Sequence, residues 1–330
     1  MKKRIVINGM GRIGRTTLKL ILENPEMELV AVNDIASIEN IMYLLKYDSA
    51  HGVYEKHIGT EKNMLCVDEV RIPYFNEKNP LDLPWKELNV DVVIESTGLF
   101  TNRIEAEKHI MAGAKTVIIS GPTKSLDIPT VVHGVNSKDG STSIFSCASC
   151  TTNNISPVIE ILGRRIGIKK AIMTTIHANT ASNKNVDSPS GKDLRMGRSG
   201  INNLIPTSTG AAVATTKALP EYKGKFDGMA VRVPVIVGSL SDITLLMERP
   251  VTTSEINILL EEEVKTDRYA KVVSVTKDPI VSTDIIKSPF ATVVDLSMTK
   301  VVDGDLLKVI AWYDNEWGFA NQMLRQIMEF

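Results

Sequence analysis

Cysteine is scarce in this chain, with three among 330 residues. A disulfide framework needs more of them and an oxidising compartment, so the odd, sparse count points to a reducing one and to a soluble, cytoplasmic protein. Charge of one sign is also lacking: 38 Lys and Arg stand against 39 Asp and Glu, a formal net charge of −1. A protein that holds nucleic acid or an anionic membrane usually carries a basic surplus. Neither partner is expected here, and any basic site must be local. No uncharged apolar run approaches membrane-spanning length. Met1-Lys2-Lys3-Arg4 looks like the start of a secretory signal, but only Ile5-Val6-Ile7 follows before Asn8-Gly9 breaks the run. No metal-ligand spacing, internal repeat or low-complexity segment is present, so no metal is expected.

What the chain does have is length for two domains. Arg4-Ile5-Val6-Ile7 reads as a buried parallel strand, and Gly9-Met10-Gly11-Arg12-Ile13-Gly14 follows at once. A helical pattern through Leu18, Ile21 and Leu22 stops at Asn24-Pro25, and a second strand, Leu29–Val32, runs into Asn33-Asp34. A G-x-G-x-x-G is weak evidence alone. Here it follows a strand, opens a helix, and has an acidic residue 20 positions after its last glycine. Gly9, Gly11 and Gly14 allow a tight turn that brings backbone amides to a pyrophosphate, while Asp34 accepts from an adenosine ribose hydroxyl. A carboxylate there repels a 2′-phosphate, which favours NAD over NADP. Two further apolar strands, Asp91–Glu95 and Thr116–Ile119, end in Ser96-Thr97-Gly98 and Ser120-Gly121-Pro122, where a doubly wound sheet places ligands. Ordinary loop chemistry explains those residues equally well. Between the two halves of the sheet, 47–85 mixes short alternating strands with prolines, as a small hairpin insertion would.

The rest of the chain is organised around Ser146-Cys147-Ala148-Ser149-Cys150-Thr151-Thr152-Asn153. A strand ends before it at Thr142–Phe145, and Ile155, Val158, Ile159 and Leu162 recur at helical spacing after it. Cys150 thus sits at a helix N-terminus, where free amides and the helix dipole lower a thiol pKa, with the hydroxyls of Ser149 and Thr151 beside it to hold an anionic substrate. A small buried cysteine in a Ser/Thr-rich cap is the competing account. His177, after the strand Lys170–Ile176, is the candidate base for such a nucleophile, although a lone histidine after a strand is more often structural. His51, His57, His109 and His133 have no comparable setting, and Cys66, in an alternating stretch, reads as a core residue. Later strands, Gly228–Val233, Ser241–Leu246 and Leu306–Ala311, alternate more, as an antiparallel sheet with one covered face does. The fold class is therefore α/β: an N-terminal doubly wound Rossmann domain, residues 1–149, and an α+β catalytic domain with a mainly antiparallel sheet, residues 150–314. A final helix over 315–330 is expected to pack back on the first domain.

End to end, the chain resembles the phosphorylating glyceraldehyde-3-phosphate dehydrogenases. The resemblance is carried by Ile7–Arg15, by Ala148-Ser149-Cys150-Thr151-Thr152-Asn153, by Pro206-Thr207-Ser208-Thr209-Gly210-Ala211-Ala212 and by Trp312-Tyr313-Asp314-Asn315-Glu316. It implies Cys150 as nucleophile and His177 as base, with Arg12, Ile13, Asp34, Ser96, Ser120 and Asn315 contacting NAD, the last at the nicotinamide amide. It implies Thr180 and Arg232 for the phosphate of glyceraldehyde 3-phosphate, and Ser149, Thr151, Thr209, Gly210 and Arg198 for the inorganic phosphate that attacks. Guanidinium with hydroxyls and amides suits both anions. Arg195 and Lys192 read as structural charges. The resemblance further implies a thioester route to 1,3-bisphosphoglycerate, in glycolysis or gluconeogenesis, and a homotetramer. Departures from the family pattern include Asn154, which stands where a second cysteine is frequent, and Cys147, which stands where asparagine is usual. Cys147 creates a C-x-x-C that oxidants could close, against the simpler reading of a small buried residue. Two alternatives remain: the related erythrose-4-phosphate dehydrogenase, against which Thr180 and Pro206–Gly210 argue, and a protein that keeps the fold to bind RNA or a partner.

Overall fold

The computed structural model describes residues 1–137, 142–191 and 193–329. Two compact units emerge, one of Met1–Val131, Lys138–Ala148 and Met323–Phe330, the other of Val132–Ser137 and Ser149–Gln322.

The first unit is built on one sheet, in the order Ile144–Ser146, Thr116–Ile119, Val92–Glu95, Lys3–Asn8, Met27–Asn33, Val70–Phe75, Met64–Val67, Ile58–Glu61. The first six strands pair in parallel and wind outward from Lys3–Asn8 in both directions. That is the doubly wound order, and its switch point falls between Lys3–Asn8 and Val92–Glu95. Ile5, Val6, Ile7, Val93 and Ile94 are fully buried, which is why these strands read as unbroken apolar runs. Trp85, Val6, Val30, Val117 and Ile144 belong to one core cluster of this unit. Helix Arg12–Glu23 ends at Asn24, whose amide returns to Ile21 O.

The expected insertion does form a hairpin, Ile58–Glu61 against Met64–Val67, and it extends the sheet through Val70–Phe75. Cys66 corrects its sequence reading. Leu65 and Val67 take the buried face of their strand, so Cys66, one residue out of phase, is half-exposed rather than core.

The sheet of the second unit runs Ile205–Ser208, Phe226–Val233, Ile168–Ala178, Ser239–Met247, Leu306–Tyr313, Thr292–Val302, Val273–Thr276. It is mainly antiparallel. Two neighbouring pairs are parallel, Ile168–Ala178 with Phe226–Val233 and Val273–Thr276 with Thr292–Val302. Alternation in the sequence reports one covered face and carries no information on strand direction. Helix Cys150–Arg165 packs on this sheet through Ile155, Val158, Ile161 and Leu162, all fully buried. The last helix is Trp317–Met328, two residues shorter at its start than expected, because the Asp314 carboxylate accepts from the amides of Glu316 and Trp317. In the first unit, Lys3 Nζ donates to Ile327 O at 2.8 Å. No helix among the described residues is long and apolar enough to cross a membrane.

Candidate active site

The turn that presents Cys150 is held from below by a buried serine. Ser146 Oγ donates to Gly121 O at 2.7 Å and accepts from Ala148 N at 3.0 Å. Ala148 then adopts φ +60°, left-handed backbone that an L-residue enters at some cost, and the chain reverses into the helix. Ser149 is its N-cap, accepting from Thr152 N at 3.1 Å, so Cys150 is the first helical residue. Thr151 Oγ1 is paired with Tyr313 OH at 2.9 Å, and Tyr313 OH with Thr175 Oγ1 at 2.8 Å. Both hydroxyls flanking the cysteine therefore already have protein partners.

His177 stands at the end of strand Ile168–Ala178, directly opposite Arg232 in the parallel register. Its Nε2 is 3.4 Å from Cys150 Sγ. Its Nδ1 lies 2.7 Å from Ala178 O and 2.7 Å from Arg232 Nη1, which also donates to Ala178 O at 3.1 Å. Burial, with the Arg232 charge beside it, holds His177 down at about 4. Burial also pushes the Cys150 thiol up, and Arg232 and the Thr151 hydroxyl and amide only partly offset it. The sequence argument from the helix N-terminus predicted a lowered thiol. Desolvation of the sulfur outweighs that favourable end and raises the thiol. Arg232 is half-buried and its own pKa is lowered by burial; its Nε is buried without a hydrogen-bond partner, and no carboxylate pairs with it among the described residues. A guanidinium in that state favours an incoming anion.

A second site lies in the first unit, at the switch point. Gly9 has φ +99°, and a Cβ there would stand 2.6 Å from Thr97 N; at Gly14 it would stand 2.0 Å from Gly9 O. Ser96 Oγ donates to Gly9 O at 2.7 Å and to Asn8 O at 3.1 Å, locking the turn. Gly11 is different: it caps helix Arg12–Glu23 with no side-chain hydrogen bond, and a Cβ there would meet nothing within 4 Å. The space beside Gly11 at the start of the helix is thus open, as a pyrophosphate site requires. Asp34 accepts from Met10 N at 2.6 Å and from Ala36 N at 2.9 Å, which orients its carboxylate and leaves further lone pairs for a ribose. Arg12 is held by Asp48 at 2.8 Å. Burial alone would raise Asp48, but Arg12 and the amides of His51 and Ala50 bring it to about 2. The residues present fit a dinucleotide.

The family model for the NAD binding domain of glyceraldehyde 3-phosphate dehydrogenase matches residues 3–103, and the model for the C-terminal domain matches residues 149–315. Glyceraldehyde-3-phosphate dehydrogenase 2 of Streptomyces avermitilis is 44% identical over 328 residues, covering 98% of this chain and 97% of the relative. Glyceraldehyde-3-phosphate dehydrogenase of Zymomonas mobilis matches at 44% with the same coverage, and glyceraldehyde-3-phosphate dehydrogenase 2 of Staphylococcus aureus at 43%, covering 98% of this chain and 94% of the relative. The chain belongs to the glyceraldehyde 3-phosphate dehydrogenase family. It is accordingly an NAD-dependent oxidoreductase.

The remaining positions named by family resemblance fall as follows. Asn315 is buried, and its Oδ1 accepts from Gly238 N at 3.1 Å and Ser239 Oγ at 3.0 Å, which fixes the orientation of its amide. Ser239 Oγ in turn accepts from Ala178 N at 3.0 Å, tying Asn315 to the strand end that carries His177. Thr180 sits in a turn with Ser182 and Asn183. Thr209 Oγ1 and Gly210 form the start of helix Ala211–Ala218, with Ala211 N donating to Thr209 at 3.2 Å. Arg198 is exposed and paired with Asp187 at 2.8 Å. Ser120 donates its amide to Glu95 O at 2.9 Å at the end of the parallel sheet. Lys192 lies outside the described residues; Arg195 donates its amide to Asp193 at 3.0 Å. Cys147 is a buried thiol in no disulfide, pushed up by desolvation. Asn154, fully buried, donates to Thr292 Oγ1 at 3.0 Å.

Sequence reading missed a network beneath the dinucleotide turn. Trp85 Nε1 donates to His109 Nδ1 at 3.0 Å, so the His109 proton is on Nε2, 3.1 Å from Glu95 Oε2. Asn8 Nδ2 donates to the same oxygen at 2.6 Å, Asn33 Nδ2 donates to Asn8 Oδ1 at 2.6 Å, and Thr97 donates to Glu95 through both amide and hydroxyl. Three adjacent strand ends are joined by it. Apart from Thr97, two residues from Glu95, the members looked ordinary in the sequence because the bonds that join them span 14 to 87 residues.

Proposed function

We propose that the protein oxidises D-glyceraldehyde 3-phosphate, with NAD and inorganic phosphate, to 1,3-bisphosphoglycerate. The observation that carries this reading is the Cys150 Sγ to His177 Nε2 approach of 3.4 Å beside the uncompensated Arg232 guanidinium. In this reading residues 1–149 hold the cofactor and residues 150–314 carry the chemistry. Gly9, Gly11 and Gly14 shape the pyrophosphate cradle, Arg12 and Ile13 offer it amides, and Asp34 takes the ribose. Ser96 and Ser120 line the strand ends, and Asn315 donates to the carboxamide. NAD, when bound, supplies the acceptor for a hydride.

The chain's own groups do the rest. Cys150 Sγ adds to the aldehyde carbon while Nε2 of His177 takes the thiol proton and returns it to the carbonyl oxygen, giving a thiohemiacetal. As the C–H electron pair leaves, Nε2 takes the hydroxyl proton and a thioester to Cys150 remains. A phosphate oxygen then attacks the thioester carbon, the C–S bond breaks, and Nε2–H reprotonates the sulfur. Arg232 and Thr180 hold the phosphate already on the substrate. Ser149, Thr151, Thr209, Gly210 and Arg198 receive the attacking phosphate, which requires Arg198 to leave Asp187.

Reduced-nicotinamide formation tests it, from glyceraldehyde 3-phosphate with NAD, with and without inorganic phosphate, for the intact protein and Cys150→Ser. Phosphate-dependent turnover that vanishes in the variant is expected. Turnover with erythrose 4-phosphate but none with glyceraldehyde 3-phosphate would overturn the substrate assignment.

A further inference from the structure

Asn315 lies between strand Leu306–Tyr313 and helix Trp317–Met328, and its backbone is pinned there by its neighbour. The Asp314 carboxylate accepts from the amides of Glu316 and Trp317 at 2.8 Å and of Lys287 at 2.7 Å. What the backbone leaves open is the turn of the terminal amide, whose oxygen and nitrogen have nearly the same shape and opposite polarity. Two donors settle it. Gly238 N can only donate, so the Asn315 atom 3.1 Å from it must be Oδ1. Ser239 Oγ is 3.0 Å from the same oxygen and accepts from Ala178 N at 3.0 Å. A backbone amide can only donate, so the single proton of the serine hydroxyl is left to point at Oδ1. Asn315 Nδ2 makes no hydrogen bond among the described residues, and both of its hydrogens remain for a ligand.

We propose that Ser239 is a positioning residue for the cofactor: acting through Asn315, it fixes that side chain as a donor and so selects a dinucleotide whose ring carries a hydrogen-bond acceptor at its 3-position. The inference rests on the proposed reading, in which Asn315 faces the nicotinamide carboxamide. An oxygen held by one donor can swing about it, whereas two donors converging on it confine the amide before the ligand arrives, and a confined partner loses less freedom on binding. The surroundings are built for this. Ser239, Ala178 and Asn315 are all buried, where an unmade hydrogen bond costs most. Gly238 has φ +90°, and a Cβ there would stand 2.3 Å from Ser282 O, so the backbone that aims its amide at Asn315 is one that glycine alone supplies without strain. Ala178 directly follows His177 on its strand. One hydroxyl thus anchors both the partner of the carboxamide and the strand end that carries the candidate base.

Titration calorimetry on Ser239→Ala tests this with two ligands, NAD and ADP-ribose, the second of which lacks the nicotinamide and so has nothing for Asn315 to hold. Losing one of the two donors is expected to weaken NAD about tenfold and to leave ADP-ribose within about twofold of the parent. Equal weakening of both ligands, as general structural damage gives, or no weakening of either, overturns the proposal. Asn315→Ala completes a double-mutant cycle. In that background Ser239→Ala should weaken NAD no further, and an additive loss would mean that the serine does not act through Asn315. The intact protein supplies a measurement that decides even if Ser239→Ala does not fold. The 3-acetylpyridine analogue of NAD, which keeps the carbonyl and lacks the amine, is expected to bind more tightly than ADP-ribose. The 3-aminopyridine analogue, which offers a donor in place of the carbonyl, is expected to bind no more tightly than ADP-ribose, and any other order overturns the proposal. Failure of the underlying reading looks different: Asn315→Ala would bind NAD as the parent does, and the proposal would fall with it, or glyceraldehyde 3-phosphate would yield no reduced nicotinamide while the two NAD analogues still ranked as expected.

Discussion

Alanine at Gly14 and alanine at Gly11 separate the two tasks of the dinucleotide turn. A Cβ at Gly14 would lie 2.0 Å from Gly9 O and 3.2 Å from Ser96 Oγ, and the nearer atom is backbone. The turn must open or the helix must move, and overpacking of that kind costs about 1–3 kcal/mol. Against a total stability on the order of 5–15 kcal/mol this is a clear shift of a urea midpoint. Gly11 meets nothing within 4 Å and has ordinary backbone, φ −69° and ψ −161°, so its methyl costs the fold about 1 kcal/mol or less. That methyl projects into the space over the helix N-terminus. Losing an anion contact there, worth ~2 kcal/mol, weakens NAD binding roughly 30-fold. Urea unfolding followed by tryptophan fluorescence gives the stabilities, and titration calorimetry gives the NAD dissociation constants. Gly14→Ala is expected to lose both stability and NAD, and Gly11→Ala to lose NAD at nearly unchanged stability. A Gly11→Ala protein that binds NAD as the parent does would refute the placement of the pyrophosphate.

Three further outcomes are expected. His177 titrates at 6.5 unfolded and about 4 folded, so the unfolded chain binds the extra proton between those values and stability falls as pH falls through that window. Between pH 7 and pH 5 the intact protein should lose about 2 kcal/mol more than His177→Asn does, measured by urea unfolding at both pH values; equal losses would mean that the ring is not buried as described. His109→Leu strands the indole N–H of Trp85 and removes one donor from the Glu95 carboxylate, at an expected cost of about 2–4 kcal/mol with a matching fall in urea midpoint. Ala148→Val places a β-branched residue at φ +60° in a fully buried site and should cost about 2 kcal/mol or more, whereas Ala148→Gly should stay within about 1 kcal/mol of the parent by thermal unfolding.

The parts of the molecule legible from sequence are those made by neighbours in the chain. The Gly9–Gly14 turn with Asp34, the cap at Ser149 and the apolar runs of the parallel strands depend on backbone sterics and local hydrogen bonds. Their residues therefore stand close together and in order. Cys66 was misplaced because alternation gives a period and not a phase; one residue of slip moves a side chain to the other face. Within the mainly antiparallel sheet, the parallel pairing of Phe226–Val233 with Ile168–Ala178 was not legible for a related reason, since a strand with one covered face looks the same whether its neighbour runs parallel or antiparallel.

The lowered thiol at Cys150 failed differently. A helix N-terminus is visible in the sequence, but desolvation depends on every element that packs around the sulfur, and it outweighed the dipole. The long-range meetings were equally out of reach: His177 with Arg232 across 55 residues, His109 with Trp85 across 24, and Thr151 with Tyr313 across 162. Sequence by itself determined the family, the cofactor and the two local turns on which the candidate chemistry depends, because short-range geometry dictates them. Only the tertiary structure decided which charge faces which ring nitrogen, because strand register and burial are properties of the whole packed chain.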